Sequence, residues 1–402
     1  MQALSGVPLL PVTLIICFVF WLGAPKKNFA FPQYILLPLL LLVMFVSLLL
    51  SPWAAASFAV FNDFGPSVLL FIMFSTSLDT VEQHAISMKI ISAITLILAI
   101  HGIDQSFTGI GWSGAELSQG TRITYVGILS DPNDLALAFV ISLPMIEYAR
   151  TESKSIISKV FWLAGMLTVV YGLFLTNSRG GMLGVLTILL IQLRSRLGTL
   201  KMSIVGTICL IGVAMLPTRL NELDATEESA ADRLGSWYEG LQMLQQHPVF
   251  GVGKGNYTEY HYLTAHNSFV LAFAELGLVG YFIWLSFFAI TFYMVYKIGR
   301  ASTSLDQSTN SRDQSELAQF QKISKTYFNA MVGFTVCAFF LSRSYVIIMY
   351  ILCAQCVGLY QAVNRRWPIT FASIKFGAVA GSVLLIEFAS IFLIYIMVGT
   401  LH

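Results

Sequence analysis

Three arginines and a histidine are the residues in this 402-residue chain best placed to do chemistry. Arg179 stands between two apolar runs, Arg122 and Arg233 lie in the connections that join such runs, and His266 opens a long one. A guanidinium beside lipid-like surroundings is costly to retain, so it calls for a partner or a ligand. An imidazole at the mouth of such a run sits where a base that titrates near neutrality meets both lipid and water.

The sequence around each residue offers a plainer reading as well. Arg122 precedes Ser130-Asp131-Pro132-Asn133-Asp134, an ordinary helix start, and capping explains the acids and Asn133 but not the arginine. Arg179 lies in Thr176-Asn177-Ser178-Arg179-Gly180-Gly181, a turn between two apolar runs. There the glycines permit close approach of another backbone or of a ligand. Arg233 begins a stretch in which Leu234, Trp237, Tyr238, Leu241 and Leu244 recur at helical spacing before Pro248. This predicts an amphipathic helix that lies on a membrane or lids the apolar runs, with Arg233 either stacked on Trp237 or turned to a ligand. The run Gly251-Val-Gly253-Lys-Gly255 reads as a set of turns, since no strand precedes it to make a phosphate loop. A lone histidine is more often structural than catalytic. Glu275 follows His266 by nine residues, about 900° of helix, so the two side chains belong to opposite faces. Glu275 is therefore expected to pack or hydrogen-bond between helices.

These residues are set in a chain that is 56% hydrophobic and 11% charged, with mean hydropathy +0.74. A soluble domain carries roughly 25% charge. Lipid leaves backbone groups no partner but each other, so a chain this apolar crosses the bilayer as helices, and its unbroken apolar runs exclude a β-barrel. The sequence predicts an all-α, polytopic membrane protein forming a single domain over 1–402, with about twelve spans: 7–22, 32–50, 64–78, 86–102, 132–149, 157–176, 180–194, 202–217, 267–297, 326–342, 344–362 and 374–399. Residues 218–266 form the longest connection. Seventeen of the 23 Lys and Arg fall at alternate ends of these spans, which marks that side as cytoplasmic. The other six are Arg122, Arg179, Arg219, Arg233, Lys254 and Arg343, on the outer side with the candidate site. Twelve spans place both termini outside.

Neither a metal nor a disulfide is expected. Cys17, Cys209, Cys337, Cys353 and Cys356 all lie in apolar stretches, and the Cys353/Cys356 pair lacks a second ligand pair. The acidic run Glu222, Asp224, Glu227, Glu228, Asp232 has no ligand spacing and reads as solvated loop. The first 25 residues lack a basic leader and a small-residue cleavage site, so they read as a first span.

In order along the chain come Arg122 before a Pro-Asn helix start, the Ser178-Arg179-Gly180 turn, an arginine-bearing helix ending in His247-Pro-Val-Phe-Gly-Val-Gly253, then His266-Asn267 and Glu275-Leu-Gly277. Over roughly residues 115–285 this order resembles the O-antigen ligase and polymerase superfamily of bacterial membrane glycosyltransferases. The resemblance implies a GT-C-type helical fold and a donor glycan carried on undecaprenyl diphosphate at the periplasmic face of the inner membrane. It implies that Arg122, Arg179 and Arg233 hold the diphosphate, that His266 is the base, and that no metal or other cofactor takes part. Asn133, Asn267 and Glu275 would support the site. The acceptor would be a hydroxyl of lipid A core, of another glycan or of a protein, with inversion at the anomeric carbon. Members of the superfamily often have cytoplasmic termini, unlike the count above. A transporter or flippase for polyprenyl-linked sugars is the competing class. It calls for paired halves or charges at the bilayer midplane, whereas here the charges gather at one face. Nucleic acid is not an expected partner.

Overall fold

The computed structural model describes residues 9–24, 27–193, 223–301 and 311–401. The described residues form a helical bundle with no strand, only two isolated bridges in the segment 110–122. The helices are α1 (Leu9–Gly23), α2 (Gln33–Leu49), α3 (Ala59–Asp63), α4 (Gly65–Ser77), α5 (Val81–Thr108), α6 (Pro132–Thr151), α7 (Ile156–Leu175), α8 (Arg179–Leu193), α9 (Leu223–Gln246), α10 (Tyr257–Tyr260), α11 (Ser268–Arg300), α12 (Ser311–Ala338), α13 (Ile347–Arg366) and α14 (Phe376–Leu401).

Six stretches are long and apolar enough to cross a membrane: Ala59–Ser77, Val81–Thr108, Ile156–Leu175, Ser268–Arg300, Ile347–Arg366 and Phe376–Gly399. Val12–Gly23, Gln33–Leu49 and Arg179–Leu193 are apolar but shorter. The predicted run 202–217 lies outside the described residues, and each of the other eleven runs overlaps a helix over most of its described length. Two helices run appreciably beyond their predicted bounds. α12 begins at Ser311 rather than 326, because its first half is polar and amphipathic, and α5 extends the run 86–102 in both directions.

Burial separates a centre from a perimeter. The most apolar windows of α13 and α11 are 78% and 67% buried, whereas those of α7 and α14 are 22% buried and turn apolar side chains outward. α6 belongs to the centre: it is buried over 135–149 except at Ala138 and Glu147, and it packs on α5, α7 and α12. Lipid is as apolar as leucine, so such packing is held by close contact and by hydrogen bonds between helices. Gln33 Nε2 reaches Thr291 Oγ1 at 3.2 Å, His84 Nδ1 meets Tyr327 Oη at 3.0 Å, and Gln355 Nε2 reaches Ser87 Oγ at 2.7 Å. Each contributes about 0.6 to 2 kcal/mol in such a setting.

α11 breaks once. Gly277 has φ +64° and ψ −170°, outside the helical region and accessible essentially to glycine alone. The turn at 248–253 fills the break. Leu278 N donates to Pro248 O at 2.8 Å and Val279 N to Val249 O at 3.2 Å, while Val252 N and Gly253 N donate at 3.0 Å to the freed carbonyls of Ala274 and Glu275. A Cβ on Gly277 would overlap the Val249 backbone, and one on Gly251 would overlap the Glu275 backbone. The glycine-rich run is thus a helix-break clasp. Two of its N–H groups are engaged by α11, which removes them from any phosphate-binding role.

The two polar ends of the bundle differ. At one end Arg365 pairs with Asp79 at 3.0 Å, Arg366 with Glu316 at 2.7 Å and Lys322 with Glu152 at 2.8 Å. The other end gathers the carboxyl ends of α5, α7 and α12 with the amino ends of α6, α8, α11 and α13. Arg122, Arg179, Arg233, Lys254 and Arg343 lie there, while Arg219 is outside the described residues.

Candidate active site

The amino end of α6 is built first, from Asp131. Its Oδ1 accepts from Asn133 N at 2.7 Å and from Asn133 Nδ2 at 3.0 Å, the N-cap expected ahead of Pro132. Asn133 then offers Oδ1 to Arg122 Nη2 at 3.0 Å, and Arg122 Nε donates to Thr176 O at 2.8 Å. Arg122 therefore braces the last turn of α7 against the start of α6. The loop that carries it is anchored by Gln105, whose amide reaches Ala115 O at 2.9 Å and accepts from Thr124 N at 2.9 Å.

Beyond Thr176 the chain reverses through Asn177 (φ +51°), and Ser178 caps α8, whose first residue is Arg179. A Cβ on Gly181 would lie 2.8 Å from Leu173 and 3.0 Å from Ala136, so helix packing accounts for that glycine. The Arg179 side chain is exposed, and Arg233 on α9 is half-buried beside it. Burial, then the neighbouring Arg179 charge, holds the Arg233 guanidinium below its usual range. Among the described residues no carboxylate pairs with either guanidinium, and Arg233 does not stack on Trp237. That indole packs edge-on against Phe339 at 5.4 Å and donates from Nε1 to Ala265 O at 3.0 Å.

The Trp237 bond fixes the residue before His266. His266 itself has φ +47°, and the Asn267 that follows caps α11, its Oδ1 accepting from Phe269 N at 2.9 Å and Val270 N at 3.2 Å. The imidazole is half-buried. Burial lowers its pKa from the usual 6.5, Arg233 and Arg343 lower it further, and Asp131 and Asp232 oppose them. His266 is thus neutral at pH 7 and able to accept a proton. Asn267 is wholly buried and acts as the cap. Glu275 is also buried, its carboxylate within electrostatic reach of Lys254 and of the backbone at Gly255 and Tyr257 rather than of His266, with Oε2 lacking a hydrogen-bond partner among the described residues.

One expectation changes, and two other placements bear on the site. The acidic stretch 224–232 is the start of α9 rather than a loop, with Glu222 outside the described residues, because a helix that packs on α11 extends to cover it. Tyr257 is buried, its hydroxyl donating to Ser236 O, and presents no stacking surface; Tyr260 and Tyr262 remain exposed. Arg343 counts among the six outer cations, yet nothing in its local sequence singles it out. It makes a two-point pair with Asp134, Nη2 to Oδ2 at 2.6 Å, and it is an electrostatic neighbour of His266. No group of His, Cys, Asp and Glu able to hold a metal occurs among the described residues.

The described residues thus define a class: an all-helical protein of multi-pass membrane character, with six stretches long and apolar enough to cross a bilayer and with cations gathered around His266 at one end. Residues 164–285 match the family model described as O-antigen ligase. The match runs from α7 into α11 and contains Arg179, Arg233, His266, Asn267 and Glu275, whereas Arg122, Asn133 and Arg343 lie outside it. No curated protein matches the chain.

Proposed function

We propose that the protein transfers a glycan from undecaprenyl diphosphate to an acceptor hydroxyl at the periplasmic face of the bacterial inner membrane, as a ligase or polysaccharide polymerase. The observation that carries this reading is that the charges of Arg179 and Arg233 act on each other, with no carboxylate among the described residues in an ion pair with either, and that Arg233 acts in turn on His266. A diphosphate satisfies both forks at once.

In this reading the acceptor oxygen attacks the anomeric carbon while the bond to the diphosphate oxygen breaks, and direct displacement inverts that carbon. The hydroxyl proton passes to an imidazole nitrogen of His266. The bonding pair leaves with undecaprenyl diphosphate, whose growing charge Arg179 and Arg233 stabilise. Arg122 contributes positive charge and braces the turn that presents Arg179. The imidazolium then returns its proton to water. The fold reading that goes with this is a GT-C-type enzyme of twelve spans, its basic-rich loop face in the cytoplasm and the His266 end outside.

The test is glycan transfer by purified protein from an undecaprenyl-diphosphate donor to lipid A core or a second glycan chain, with chelator present. His266→Ala and Arg179→Ala run alongside the unmodified chain. Transfer by the unmodified chain, lost in both folded variants, is the expected result. Undiminished transfer by His266→Ala, or donor movement across liposomes without any transfer, overturns the reading and in the second case leaves transport.

A further inference from the structure

The loop between α12 and α13, residues 339–346, touches α8, α9, the segment before His266, and the starts of α11 and α6. Phe340 lies against Gly180, where a Cβ would stand 3.2 Å away, and Phe339 packs on Trp237 of α9. Ser342 Oγ meets Thr264 Oγ1 at 3.0 Å, two residues before His266. Ser268, the first residue of α11, donates from Oγ to Leu341 O at 2.5 Å and accepts from Arg343 N at 2.9 Å, while Ser344 Oγ donates to Ser268 O at 2.6 Å. The fork of Arg343 closes the ring by gripping both oxygens of Asp134 at the start of α6, with Asp131 Oδ2 at 3.8 Å.

We propose that Arg343 is a positioning residue for His266: gripped by Asp134, it locks the start of α11 to the start of α6 and keeps one fixed positive charge beside the imidazole. The proposal rests on the reading of His266 as the base. Arg343 differs from Arg179 and Arg233 in that its fork is already engaged by a carboxylate, so it has less to offer a diphosphate. A planar fork bonded at two points sets direction as well as distance, which a lysine cannot reproduce. The charged groups facing His266 are Arg233 and Asp232 from α9, Asp131 from the α6 cap, and Arg343 from this loop. Arg343 is thus the one cation facing His266 whose own place is fixed by an ion pair among the described residues.

The experiment measures glycan transfer against pH for the unmodified chain, Arg343→Met and Arg343→Lys, with a histidine NMR titration of each in lipid nanodiscs. The His266 signal is identified by its absence from His266→Ala. Arg343→Met should lower kcat by about tenfold to a hundredfold, as expected for a misplaced base. It should leave donor KM within about threefold, and it should raise the His266 midpoint by up to about one unit through loss of the cation. Arg343→Lys keeps the charge but not the two-point grip, so it should lower kcat while its midpoint stays near that of the unmodified chain. A folded Arg343→Met with an unmoved midpoint overturns the proposal. So does a raised donor KM at unchanged kcat, which would make Arg343 a donor ligand. If Arg343→Met does not fold, Arg343→Lys decides: unchanged kcat sinks the idea and a selective fall in kcat supports it. Activity retained by His266→Ala would instead refute the underlying function, whatever Arg343 does to the titration.

Discussion

Replacing Arg233 by glutamine separates a ligand-binding role from a structural one, because the two roles move stability in opposite directions. Arg233 is half-buried and its charge is opposed by burial and by Arg179, with no carboxylate among the described residues to compensate. In the empty protein the charge is therefore a cost, and Arg233→Gln should leave thermal stability unchanged or raise it. In the donor complex the same guanidinium is expected to make charge-assisted hydrogen bonds to the diphosphate. Such a bond contributes about 1.5–3 kcal/mol. At about 1.4 kcal/mol per factor of ten, kcat/KM should fall by about tenfold to 150-fold. Arg233→Lys restores charge without the fork and should recover part of the loss. The assay is donor-dependent transfer at fixed acceptor concentration, with a melting curve of each variant in the same detergent. Activity within about threefold of the unmodified chain refutes the diphosphate role. A melting temperature that drops by several degrees in step with the activity loss refutes the claim that the charge is a cost when the donor is absent.

Four further outcomes are expected. His266 is held below 6.5, so transfer should persist on the acid side of pH 6.5 and fall only as pH passes through the depressed value, with Arg233→Gln moving that limb upward. Because the unfolded chain takes that proton first, the same group makes the folded protein lose stability as pH falls below 6.5, which pH-dependent melting will register or contradict. Asn267→Ala removes the cap of α11 and should cost about 0.5–2 kcal/mol, while Asn267→Ser keeps most of it; equal melting temperatures for the two would sink the capping role. Gly277→Ala should prevent accumulation of folded protein, since its Cβ would overlap the Val249 backbone. Gly255→Ala, at φ +87° with open space around it, should cost only about 1 kcal/mol. Comparable yields of the two in detergent extracts would contradict the clasp.

Much of the helix layout was legible because apolar runs report the lipid-facing and buried lengths directly. The turn at 176–181, the α6 cap and the helix around Trp237 were legible too, from spacing and capping chemistry. What could not be read were features set by distant segments. The break in α11 depends on Gly277 meeting Val249 and Gly251, in a segment that precedes the helix, and apolar periodicity runs through it unchanged. The pairing of Arg343 with Asp134 joins residues 209 positions apart, so only the sparse count of outer arginines hinted that Arg343 mattered. The polar first half of α12 carries no spanning signal and is helical because it continues a helix whose second half is buried.

The clasp and the site are one construction. A continuous α11 would need no turn at its side, and residues 248–253 would lose their four backbone hydrogen bonds to its flank. By breaking at Gly277, α11 exposes two carbonyls and two N–H groups that bind 248–253 along its flank. The chain then returns to α11 under a second set of ties, from Trp237 to Ala265 and from Thr264 to Ser342. His266 is consequently held at both sides although it lies outside any helix. A base must sit within hydrogen-bond reach of the hydroxyl it serves. Support of a loop residue by a broken helix meets that need in the proposed reaction.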